Sequence, residues 1–335
     1  MKKKFMVYSL FCIVLTGLPL IPAKWIPSPA AAGLLAEQPE EVSGELQQTG
    51  ITETRIYHVL DSETGEILEV PVRDYLIGAV GAEMPVSFEP EALKAQAVAA
   101  HTYAERQSAL SAQRPELNGA DFSDDPNQYQ AFYTREELQT LYDTHFPEDY
   151  QKISDAVDAV LNEILVYQDE PIIAAFHAMS GGRTESAQNV WGSEIAYLQS
   201  VDSHFDENAP QFEQSVSFTP EEVRNLLESA RTGLLLGTDT EHWFGEPVCS
   251  EAGTVQQIPV GTSIFTGQEL RSLFSLRSAV FTVQYQDRNF IFTTKGCGHD
   301  VGMSQYGANA MALNGATYRE ILTYYYPGTA LKFIS

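Results

Sequence analysis

Apolar and polar positions along the chain change period several times, and each change marks an element. Thr54–Leu60 and Ile67–Val70 alternate in short runs across a polar "DSETGE" turn and read as two strands. A helical segment over Val72–Val80 follows. Pro90 suits a first helical position, where its missing N–H costs nothing, and Glu91 suits a positive helix start. The run "ALKAQAVAAHTYAERQSALSAQ" is alanine-rich without a breaker, predicting a helix of about six turns. Ala92, Ala95, Ala99 and Tyr103 share one face of it, which predicts a central helix buried on that side.

Further along, "REELQTLYDT" and "DYQKISDAVDAVLNE" place apolar residues at helical spacing. "ILVYQDEPIIAAFHAMSGG" switches to two β runs across "QDE", and "SAVFTVQYQDRNFIFTTKG" alternates with period two across "QDRN". Between them, "TPEEVRNLLESAR" carries a capping Thr219 and a first-turn Pro220. The C-terminal "MSQYGANAMALNGATYREILTYYYPGT" reads as two helices broken near Asn314–Gly315. Without regular β-α alternation, the pattern predicts an α+β fold, a long central helix with antiparallel hairpins. No internal repeat interrupts it.

The N-terminus departs from this pattern. Lys2, Lys3 and Lys4 precede an uncharged run of 19 residues, Phe5 to Ala23, near the lower limit for a bilayer-spanning helix. The lysines would stay cytoplasmic. A cleaved signal peptide is the competing reading, with "SPAAAG" offering small residues to a peptidase. The run is long for a signal core, so the expectation is an uncleaved transmembrane anchor with the remainder exported. This divides the chain into lysines and anchor or signal (1–23), a flexible Pro-, Ala-, Glu- and Gln-rich linker (24–53) and a body (54–335).

Composition narrows the function classes. The chain has 335 residues, 44% hydrophobic and 11% aromatic, enough for one sizeable core or two modest ones. A net charge of −25 argues against nucleic acid as a partner. Outside the apolar run only Cys249 and Cys297 remain, and whether they pair is open. No CxxC or HExxH spacing supports a metal site, so neither metal nor cofactor is expected.

Three patches carry candidate chemistry. Glu83, flanked by Ala82 and Pro85, stands in an apolar turn ahead of the alanine-rich helix. It either favours the positive helix start or, with a pKa raised by its apolar surroundings, serves as a general acid. "FHAMSGGRTE" follows a strand, and its Ser180-Gly181-Gly182 turn suits either close approach to a ligand, with Ser180, Arg183 and Thr184 as polar contacts, or an ordinary connector. "GCGHDVGMSQYGANAMA" gathers glycines around His299 ahead of Ser304, Gln305 and Tyr306; a core histidine and a helix cap are the alternatives.

In this order, "AEMPVSFEPEALKAQAVAAHTYA", "HAMSGGRTESAQNVWGSEIAYLQSV" and "GHDVGMSQYGANAMALNGATYREILTYYYPGT" closely resemble the stage II sporulation protein D family of peptidoglycan lytic transglycosylases. The likeness spans roughly Val70 to the C-terminus, with a weaker middle from Phe205 to Gly253. It implies that Glu83 is the catalytic acid, and that His177, Ser180, Gly181, His299, Ser304, Gln305 and Tyr306 line a glycan groove. It further implies cleavage between N-acetylmuramic acid and N-acetylglucosamine of strands stripped of stem peptides, leaving 1,6-anhydro ends. The implied setting is forespore engulfment, with a membrane-anchored body in the intermembrane space, beside the amidase stage II sporulation protein P and the membrane protein stage II sporulation protein M. Such chemistry suits a lone carboxyl, because the sugar's own C6 hydroxyl replaces an activated water.

Some positions depart from the family pattern. His101 stands where an arginine is common, and Cys297 and Asp300 fall in "GCGHD" where "GWGHG" is common. Some relatives carry a Cys/His zinc cluster after the long helix. The comparable "DFSDDPNQYQAFY" has Ser123, Gln128 and Tyr129, so no such zinc is expected. The alternative function is a non-catalytic glycan-binding activator of an amidase, since related domains have been described as amidase enhancers. A wall-tethering protein, with binding but no turnover, is a third.

Overall fold

The computed structural model describes residues 55–125 and 128–334. The expected anchor and linker lie outside the described residues. Among the described residues, no helix is long and apolar enough to cross a membrane.

Ile56–Leu60 pairs antiparallel with Ile67–Pro71, and parallel with the short strand Phe122–Ser123. The intervening turn closes because Asp61 Oδ1 accepts from the Glu63 and Thr64 amides, while Gly65 takes a φ of 75°. Helix α1 (Val72–Glu83) follows directly and runs three residues beyond the expected Val80. It stops where Met84 turns extended, as a residue before proline prefers.

Helix α2 (Pro90–Leu110) is the centre of the body. It is buried on more than the one expected face: Ala92, Leu93, Ala95, Gln96 and every residue from Ala97 to Ala104 are inaccessible or nearly so. Its alanines let neighbouring backbones approach from several sides. α3 (Arg135–Tyr142) starts at a Thr134–Glu137 capping box, and α4 (Phe146–Asp158) packs on both α1 and α2. Thr102 ties α2 to the next strand, Glu163–Tyr167, its hydroxyl donating to Val98 O (2.7 Å) and accepting from Leu165 N (2.8 Å).

Glu163–Tyr167 turns through Gln168 and Asp169, both left-handed, into the two-residue strand Glu170–Pro171, and pairs on its other side with Ala330–Phe333. This confirms the first hairpin, though its second arm is short. The stretch Phe176–His177 instead pairs parallel with Met303–Ser304, more than a hundred residues away. Past α5 (Ala187–Trp191) the chain enters a second region. There Glu213–Phe218 and Phe281–Gln286 flank Asn289–Lys295 in an antiparallel sheet, beside α6 (Pro220–Ala230) and α7 (Gly267–Leu273). The chain ends in α8 (Gln305–Leu313) and α9 (Tyr318–Tyr325), broken at Asn314–Gly315 as expected.

Buried apolar residues form two clusters. The larger surrounds α2 and includes residues of α1, α4 and α9. The smaller spans Val223 to Phe292 around Trp243, Phe265, Phe290 and Phe292. The fold is α+β with small, mainly antiparallel sheets.

Candidate active site

Glu83 is the last residue of α1, and α2 begins only at Pro90. It therefore sits at the negative, carbonyl end of a helix, which overturns the reading that it favours a positive helix start. The carboxyl is 6% exposed and accepts one hydrogen bond among the described residues, from Ala131 N at 3.2 Å. Burial pushes its pKa up to about 7, against a smaller opposing pull from the Ala131 amide. No neighbouring carboxylate contributes to that rise among the described residues. The charge is felt instead by the hydroxyls of Tyr75, Tyr103 and Tyr133.

The segment from Gln130 to Tyr133 lies as a strap along α1, with contacts from Tyr75 to Glu83. Gln130 Nε2 donates to Tyr75 Oη (3.3 Å), Phe132 stacks on the Tyr75 ring (centroids 5.3 Å apart), and Tyr133 N donates to Gly78 O (3.3 Å). Gly78 permits this approach: a Cβ there would meet Tyr133 O at 2.1 Å. The strap thus delivers the Ala131 amide to Glu83.

A second cluster forms where Phe176–His177 meets Met303–Ser304, and its hub is Asp206. The Asp206 carboxylate accepts from Ser180 N (2.8 Å), Ser180 Oγ (2.7 Å), Ser304 Oγ (2.7 Å) and Ser203 Oγ (3.1 Å). Burial raises its pKa against these donors. Ser180 and Ser304 are fully buried, so their hydroxyls hold the two loops together; Ser304 also caps α8 through Gly307 N. Gly181 gives Val280 room, with a Cβ there 3.0 Å from the valine methyls.

His177 and His299 lie with ring centroids 5.7 Å apart, and Trp191 is 5.7 Å from His299 on another side. His177 Nδ1 donates to Val301 O (3.2 Å), whereas His299 Nδ1 accepts from Val301 N (3.0 Å). Burial holds both rings neutral, His177 down at about 3 and His299 well below its ordinary value. Both Nε2 atoms and Asp300 Oδ1 are buried without a hydrogen-bond partner among the described residues. Among the described residues, no group of three or more His, Cys, Asp and Glu is arranged to hold a metal ion.

Gln305 and Tyr306 connect the two clusters. Gln305 Nε2 reaches Gln96 Oε1 of α2 (3.4 Å), and Tyr306 meets Phe88 edge-on at 5.0 Å. Glu89 N donates to Asn309 Oδ1 of α8 (2.8 Å). The turn after Glu83 therefore docks on α8, while the Glu83 carboxyl itself makes no hydrogen bond to the histidine–serine cluster. Sequence reasoning missed Asp206 and the strap. Neither carries a motif, and Asp206 falls in the weakly matching middle.

The departures from the family pattern also have places. His101 lies inside α2, 2% exposed, its Nε2 3.6 Å from Glu105 Oε1. Arg55 and Tyr57 already bond Glu105, so that carboxylate has a cation without a fixed charge at 101. Asp300 is buried at a φ of 66°, near Arg271. Cys249 is an exposed free thiol, so it is not joined to Cys297.

A family profile described as "SpoIID: Stage II sporulation protein" matches residues 60–167, a span that includes Glu83, α2 and the strap. The chain is 35% identical over 268 residues to stage II sporulation protein D of Bacillus subtilis, covering 78% of this chain and 75% of that one. It is 36% identical over 265 residues to the protein of the same name from Bacillus amyloliquefaciens, covering 78% and 74%. A more distant likeness, 25% over 307 residues, is to a B. subtilis protein named amidase enhancer, covering 76% of this chain and 40% of that one.

Proposed function

The chain belongs to the stage II sporulation protein D family, and from that premise we propose that it is a lytic transglycosylase acting on denuded peptidoglycan strands during sporulation. The observation that carries this reading is Glu83: a buried carboxyl with its pKa near 7 and no second carboxylate beside it among the described residues. In this reading the protonated Glu83 donates to the glycosidic oxygen leaving the muramic acid carbon. The resulting carboxylate then takes the proton of that sugar's C6 hydroxyl as the hydroxyl oxygen closes on C1. One group serves as acid and then base, and no water is consumed. A hydrolase would place a second carboxylate about 5–9 Å away.

His177, Ser180, Gly181, His299, Ser304, Gln305 and Tyr306 belong to this proposal as the frame of the glycan groove. Burial makes His177, Ser180, His299, Ser304 and Gln305 supports of its wall more than direct contacts, whereas Gly181 and Tyr306 are half-buried. The proposal carries with it an extracytoplasmic body behind an N-terminal anchor, with stage II sporulation proteins P and M as partners.

Incubating the full chain with denuded glycan tests the activity. Wild type is expected to release 1,6-anhydro fragments detectable by mass spectrometry and Glu83→Gln none; equal product from both would remove Glu83 from the chemistry. The second reading, an activator of a partner amidase, is favoured by the likeness to the amidase enhancer. It is distinguished by amidase stimulation that survives Glu83→Gln.

A further inference from the structure

Arg114 stands just past the end of α2, between the short turns Ser111–Gln113 and Pro115–Leu117. It is half-buried, and its Nη1 donates to Gln107 Oε1 near the end of α2 (2.6 Å). Its guanidinium lies over the Tyr129 ring, 5.8 Å from the centroid. Among the described residues, its other N–H groups have no side-chain acceptor and no carboxylate forms an ion pair with it. The guanidinium is a cation left without an anion.

Two connections tie this cation to the acid. From Tyr129, beneath Arg114, the chain runs through Gln130 to Ala131, whose amide holds Glu83 at 3.2 Å. Two residues of chain span at most about 7 Å. Tyr103 of α2 responds to both groups: burial raises the pKa of its hydroxyl, the Arg114 charge opposes that rise, and the Glu83 charge adds to it. Tyr103 and Gln107, four residues apart, share one face of α2, so Glu83 and Arg114 address the same face.

The chemistry of the strand selects what Arg114 would bind. In a denuded strand each muramic acid unit carries a free lactyl carboxylate; while the stem peptide is attached, that carboxyl is an uncharged amide. A chain of net charge −25 repels an anionic strand over most of its surface, so holding one requires a local cation. The planar fork of an arginine matches a carboxylate through paired N–H···O bonds. We propose that Arg114 binds the free lactyl carboxylate of a muramic acid unit in the strand that Glu83 cleaves, and thereby selects strands whose stem peptides have been removed. The proposal rests on the reading of Glu83 as the acid. It places an amide hydrolysis, which frees that carboxylate, ahead of strand cleavage.

The test assays the full chain on denuded strands and on the same strands with their lactyl carboxyls converted to methylamides, which removes the charge with little change in size. Wild type is expected to cleave the free-acid strands with a kcat/KM about tenfold higher, the effect of losing one charge-assisted hydrogen bond. In Arg114→Gln that preference disappears. A variant that merely misfolds would lose rate on both substrates alike, so the ratio between them is the readout. Equal rates on the two substrates in wild type, or an unchanged ratio in Arg114→Gln, overturns the role of Arg114 while leaving the activity standing.

Should wild type cleave neither substrate, the activity reading fails, and calorimetric titration with the two strand preparations then decides Arg114. Tighter binding of the free acid that Arg114→Gln loses supports the assignment. A preference that survives Arg114→Gln, equal binding of the two preparations, or no binding overturns it.

Discussion

At the scale of single residues, the account turns on what burial does to Glu83. Its pKa rises from 4.5 to about 7, so between those values the unfolded chain has lost a proton that the folded chain retains. Stability from this residue is therefore full below pH 4.5 and declines as pH rises towards 7. At 1.36 kcal/mol per unit, the loss approaches about 3 kcal/mol above pH 7. Glu83→Gln keeps the shape and can still accept from Ala131 N, but cannot ionise. Its melting temperature is expected to match wild type at pH 4.5 and exceed it at pH 8; a gap that does not change with pH would mean the carboxyl is already ionised in the fold. The same titration sets activity, which is expected to fall as pH rises through about 7, as a pH–rate profile would show.

At the scale of elements, the strap and α1 act as a pair. Ala at Gly78 would gain about 1 kcal/mol of helix propensity but place its Cβ 2.1 Å from Tyr133 O, an overpacking worth about 1–3 kcal/mol. Gly78→Ala is expected to lose up to about 2 kcal/mol of stability, the difference between those figures, while displacing the strap. Hydrogen exchange at the Ala131 and Tyr133 amides should accelerate, and turnover should fall. Retained protection at both amides would show that the strap does not depend on the glycine.

Much at this scale was legible. Thr219 heads a helix as its capping box requires, and the Asp287–Arg288 turn closes its hairpin with both residues left-handed. Glu83 was placed at the wrong kind of helix end, although the signal was present: Met84 before Pro85 is driven extended and stops α1 at Glu83. The pairing of Phe176–His177 with Met303–Ser304 had no such signal, because two-residue strands far apart in the chain have no period to read.

At the scale of the whole molecule, two apolar clusters divide the work. The larger, around α2, positions Glu83 and the strap, and the sequence suggested it through an unbroken run of small helix formers. The smaller, from Val223 to Phe292, was hidden: its aromatics are spread among short strands and loops, and only the three-dimensional fold gathers them. Trp243, 2% exposed, stacks on Phe290 at 5.4 Å beneath the Arg224 guanidinium. Trp243→Ala is expected to cost about 3–5 kcal/mol, with protection lost between residues 213 and 295 and retained on α2. Loss spread evenly across both clusters would show that they unfold as one unit.

The central claim is that a lone carboxyl cuts the strand without water. Digesting denuded glycan in heavy-oxygen water tests it most directly, with the mass of the new muramic acid end as the readout. The expected product is an anhydro end lighter than the hydrolytic one by a water molecule and free of solvent oxygen, absent with Glu83→Gln. A reducing end that carries the heavy oxygen would contradict the account and call for a second, water-activating group.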